Sequence, residues 1–154
     1  MNVSRRAILG VRRPRRRTAA ATVGLLAGCT FAFFLQLDTA IPLGGWGLGF
    51  LVFSAGLAIA GYAGWARGGA FPGVGTVLPL LLWMAIFPPV VAYFRGREYA
   101  DDWYSTIRLS DALHTTGTEL ELAIETVPYL PVGALLFGGA AFLVGAGARR
   151  LSGR

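Results

Sequence analysis

The chain has 154 residues, 55% of them hydrophobic and 14% charged, with a mean hydropathy of +0.58 and a net charge of +6. A soluble domain carries about a quarter charged residues, so this balance excludes a soluble enzyme and a disordered chain. The single cysteine, Cys29, excludes a disulfide-stapled module.

The first seventeen residues hold seven arginines, from Arg5 to Arg17. Ser4-Arg5-Arg6-Ala7-Ile8-Leu9 resembles a twin-arginine export signal, and Leu26-Ala27-Gly28-Cys29 resembles a lipobox, in which Cys29 would be lipidated after cleavage. The apolar run, however, continues past Cys29 through Thr30-Phe31-Ala32-Phe33-Phe34-Leu35, where a lipoprotein would turn polar. The simpler expectation is an uncleaved span with a basic flank. That flank, a tail over residues 1–17, attracts anionic lipid at roughly 1 kcal/mol per arginine. No aromatic residue interleaves the arginines, so nucleic acid is not expected as a partner.

Four stretches have the ~20 apolar residues that cross a ~30 Å hydrocarbon core. They cover residues 18–37, 44–66, 74–94 and 129–148, and none contains Asp, Glu, Lys, Arg or His. The expected fold is therefore an all-α bundle of four transmembrane helices. Residues 95–128 form an outer loop between the last two spans, and residues 149–154 a basic tail.

The second and fourth spans carry small residues at helical spacing: Gly56, Ala60 and Gly64 in one, Ala134, Gly138, Ala141 and Gly145 in the other. Lipid tails are as apolar as leucine, so helices pair in a bilayer through close backbone approach, and such stripes predict helix–helix seams. The third span contains Pro79, Pro88 and Pro89. Each removes one intrahelical hydrogen bond and predicts a kink.

The outer loop holds most of the polar chemistry. Thr118-Glu119-Leu120-Glu121 fits a capping box. Leu120, Ala123, Ile124 and Val127 then share one face of a helix. This predicts a short acidic amphipathic helix on the outer surface, ended by Pro128. Asp111 and His114 stand three apart and are the candidate catalytic pair. One histidine in the whole chain is too few for a metal centre, however, and no G-x-S-x-G, H-E-x-x-H or C-x-x-C occurs. No metal or cofactor is expected.

Arginine counts set the orientation. With the first residue in the cytoplasm, eleven arginines and no acid lie inside, against three arginines and all eight acids outside. The positive-inside rule then places both termini in the cytoplasm of a multi-pass plasma-membrane protein, with residues 95–128 extracellular. Ion-coupled transporters keep ionisable groups within the membrane, and these spans have none. The expectation is a non-enzymatic accessory, assembly or structural subunit acting through helix association, with a protein partner or a second copy. A small oligomeric channel or transporter for a neutral solute is the alternative. An enzyme using the outer acidic loop is a further one.

Overall fold

The computed structural model describes residues 12–34, 47–94 and 119–153. Every regular element among them is helical. They are α1 (Arg12–Phe34), α2 (Gly47–Trp65), α3 (Ala70–Phe94), α4 (Glu119–Thr126), a 3₁₀ turn (Val127–Tyr129) and α5 (Leu130–Leu151). Three helical stretches are long and apolar enough to cross a membrane: Arg13–Phe34, Ala70–Val91 and Ala123–Leu151. The chain is thus a helical membrane protein. Gly49–Trp65, in α2, is a shorter apolar helix, and the stretch expected to start at residue 44 falls partly outside the described residues.

Several helices start earlier or run later than hydropathy predicts. α1 begins at Arg12, so Arg13 to Arg17, in the expected basic tail, form helical turns. Pro14 sits in its first turn, where the backbone N–H has no partner in any case. α3 begins at Ala70 with Pro72 in the same favourable place. α5 runs on through Arg149 and Arg150 to Leu151. In each case the polar or proline-bearing turn falls below an apolar threshold, yet nothing in it stops a helix.

Cross-contacts give the helix directions. Thr22 meets Thr76 and Thr30 meets Trp83, so α1 and α3 run the same way. Phe53 packs on Phe137 and Gly61 on Gly145, so α2 and α5 also run together. Gly73 faces Phe142 and Gly133 faces Leu81, so α3 and α5 are opposed. α2 and α3 pack on one another, with α1 against one side of the pair and α5 against the other. One consequence concerns charge. The exposed Arg13, Arg15, Arg16, Arg17, Arg67 and Arg150 all lie at one end of the molecule, and Glu121 and Glu125 lie towards the other.

A tight turn joins α2 to α3. Arg67 takes a left-handed backbone (φ 59°), and the Gly68 N–H donates back to the Ala63 carbonyl at 2.7 Å. This is the six-to-one closure of a Schellman motif, with an arginine where glycine is usual. Gly69 (φ 94°) then redirects the chain into α3.

A short helix, α4, lies where the amphipathic one is expected, and its α-helical part stops at Thr126, ahead of Pro128. Pro128 sits within the 3₁₀ turn that carries the helical chain directly from α4 into α5. A 3₁₀ turn tolerates the missing N–H at its start. Of the expected apolar face, Ala123 is buried, Leu120 and Val127 are half-buried, and Ile124 is exposed. α4 packs against α3. Thr118, the expected cap, lies outside the described residues.

Candidate functional site: the interhelical seams

Small residues bring the helices close along several of their seams. Along the α2–α5 seam, a methyl group added at Gly145 would strike the backbone of Gly61, lying 2.7 Å from its carbonyl carbon. One added at Gly64 would strike the Phe142 carbonyl and lie 2.9 Å from the Ala146 nitrogen. Real Cβ atoms do not come so close, so both positions demand glycine. Gly61 is looser: a Cβ added there would lie 3.5 Å from the Ala141 oxygen.

The other members of the two predicted stripes turn toward α3. Gly56 accepts the Leu80 side chain. Ala60 packs with Val77 and Ala134 in one buried cluster. Gly138 sits against Val74 and Val77, both 3.1 Å from a Cβ there. Each stripe therefore serves two neighbours. Gly61 and Gly73 also belong to the seams: Gly73 lies against the Phe142 ring, 2.8 Å from a would-be Cβ. Gly61 is off the four-residue spacing that picks out the others, and Gly73, four residues after Gly69, lies just ahead of the third expected span. Gly61 is three residues before Gly64, a spacing that would have flagged it.

Polar contacts join α1 to α3. Thr22 Oγ1 donates to the Thr18 carbonyl at 2.9 Å and pairs with Thr76 Oγ1 at 3.2 Å. Trp83 Nε1 donates to Thr30 Oγ1 at 2.9 Å. Thr18, Thr22 and Thr76 are buried, and each hydroxyl also reaches a carbonyl of its own helix. In an apolar setting an unmet hydroxyl is costly, so such pairs fix helix register. Beyond them the rings of Trp83 and Phe87 stack at 5.2 Å, with Phe33 edge-on to both. Cys29 lies buried between Val52 and Leu80, beside Leu25, Leu26, Trp83 and Met84.

One seam ends in a charge. Arg149 Nη1 donates to the Gly64 carbonyl at 2.9 Å and reaches the Trp65 carbonyl at 3.4 Å. The last carbonyls of α2 have no N–H donor within the helix and carry its negative dipole end, so a guanidinium from α5 serves as a C-terminal cap. Hydropathy alone puts Arg149 in a basic tail. Its position four residues after Gly145, on the same helical face, was the available signal.

Pro79 and Pro89 lie within α3, Pro89 buried and Pro79 half-buried. The α-helix continues through both and through Pro88. Asp111 and His114 lie outside the described residues. Among those described, no group of three His, Cys, Asp or Glu side chains gathers as a metal site would need. No family model, no curated protein and no solved structure matches the chain.

Proposed function

We propose that the chain is a four-span protein of the plasma membrane. Both termini are cytoplasmic and residues 95–128 lie outside. It acts without catalysis, as an accessory, assembly or structural subunit that associates through its helices. The observation that carries this reading is the use made of its polar groups. The Thr22–Thr76 pair, the Trp83 indole and the Arg149 guanidinium each join one helix to another. Nothing ionisable is set within the spans to move a proton or hold a charged solute.

The gathering of described arginines at one end supports the orientation. The outward side of α1 supports association. Ala20, Gly24 and Gly28 are exposed at four-residue spacing, and a Cβ at either glycine would meet nothing within 4 Å. Such a face admits a close helix from another chain.

Purification from native membranes in mild detergent tests the proposal. A stoichiometric bound protein that is lost with Gly24→Leu and Gly28→Leu is expected. Solute flux through liposomes holding this chain alone would replace the reading with that of an oligomeric channel.

A further inference from the structure

We propose that the arginine-bearing end of the bundle forms a collar for anionic phospholipid headgroups, built from three separate segments of chain. The inference rests on the membrane reading above and deepens it, because the expected lipid contact was with the N-terminal arginines alone.

The level of each segment follows from contacts already described. Thr22 of α1 and Thr76 of α3 stand side by side. Arg13 to Arg17 precede Thr22 by five to nine residues, which sets them about 7–14 Å nearer the helix end. Ala70, where α3 starts, precedes Thr76 by six residues, about 9 Å. The turn carrying Arg67 joins α3 there. Arg149 reaches the Gly64 and Trp65 carbonyls just before that turn, and Arg150 follows it. Three basic segments thus share one level, with α1 on one flank, the turn in the middle and α5 on the other.

Their guanidinium groups are available. Arg13, Arg15, Arg16, Arg17, Arg67 and Arg150 are exposed. Among the described residues none of these six side chains enters a hydrogen bond or an ion pair. No described acid lies at that end. The helices above the collar are apolar and face lipid, so the anion that meets it is the phosphate of a lipid already packed on the helices. Guanidinium groups suit phosphate oxygens, and the attraction adds over the arginines near the surface.

The test uses the full chain in nanodiscs of phosphatidylcholine containing a minority of phosphatidylglycerol, and measures which lipids remain bound to the released protein by native mass spectrometry. Enrichment of phosphatidylglycerol is expected. Its apparent affinity is expected to fall about fivefold for each arginine removed, with Arg67→Gln and Arg150→Gln as well as with Arg15→Gln or Arg16→Gln. Circular dichroism checks that each variant keeps its helices. Equal retention of the two lipids would overturn the proposal. So would losses confined to the α1 variants, or the same enrichment on a detergent-unfolded chain, since a linear basic segment would then suffice. Added RNA that displaces the lipid at low molar ratio would also overturn it. Both nanodisc leaflets are alike, so a failure of the cellular orientation leaves this readout intact.

Discussion

The indole N–H of Trp83 donates to the hydroxyl of Thr30 at 2.9 Å, tying α3 to α1 at a level where both helices are otherwise apolar. Hydrogen bonds between membrane helices contribute about 0.6 kcal/mol on average, because the separated helices also find partners. Trp83→Phe keeps a ring to stack on Phe87 and deletes only the donor. We expect a loss of about 0.5–1 kcal/mol in unfolding titrations in mixed micelles. Thr30→Val should cost a similar amount, and the double variant little more than either single one. Full additivity of the two losses would show that the bond contributes nothing.

The glycine seams predict opposite signs for the same substitution. Gly145→Ala and Gly64→Ala each push a methyl group into the backbone of the facing helix. A loss of about 1–3 kcal/mol, or separation of α2 from α5, is expected for each. Gly139→Ala and Gly147→Ala meet open space on the same helix as Gly145 and should leave stability unchanged or higher. Thermal unfolding of the four variants in one detergent decides the matter. Equal behaviour would remove the α2–α5 seam.

Arg149→Met retains most of the side-chain length and removes the donors to Gly64 and Trp65. About 1–2 kcal/mol should be lost, with the end of α2 fraying first. Hydrogen exchange at residues 62–66 reads this directly. Arg149→Lys should recover part of the protection, since a cation near the dipole remains but the planar fork does not.

Arg67 holds a backbone conformation that costs a side-chain-bearing residue roughly 1–2 kcal/mol. Arg67→Gly should therefore raise the unfolding midpoint while removing one charge from the basic end. A fall in stability would mean that the guanidinium contributes more to the fold than the turn geometry costs.

Single cysteines report the orientation. In a Cys29→Ala background, cysteine placed at residue 120 should react with an impermeant maleimide on intact cells. Cysteine at residue 152 should react only after permeabilisation. Cys29 itself is buried and should label slowly until the chain is unfolded. A residue 152 open to the exterior would reverse the topology.

The helices were legible in the sequence because hydropathy and helix length are summed quantities, spread over some twenty residues and insensitive to any one of them. Their ends were not. Arg12 to Arg17 and Arg149 to Leu151 are helical although charged, since arginine is a good helix former and only an apolar count excluded them. Pro128 bounds the α-helix of α4 without breaking the helical run. It forbids one hydrogen bond, and a change of helix type absorbs that loss. The small-residue stripes named residues that lie in seams, but spacing along one helix carries no information about which neighbour each faces. That depends on how three helices converge, and so Gly138 and Gly145, one stripe in sequence, meet α3 and α2 respectively. The Thr22–Thr76 and Thr30–Trp83 pairs depend on the relative height of two helices, which no local pattern sets.

The cap on α2 also ties structure to the order of synthesis. The carbonyls of Gly64 and Trp65 leave the ribosome long before the guanidinium that binds them. Until residue 149 has been translated and α5 has settled beside α2, that helix end has only water or headgroups for company. Stalled chains and finished ones therefore present different surfaces at the end of α2.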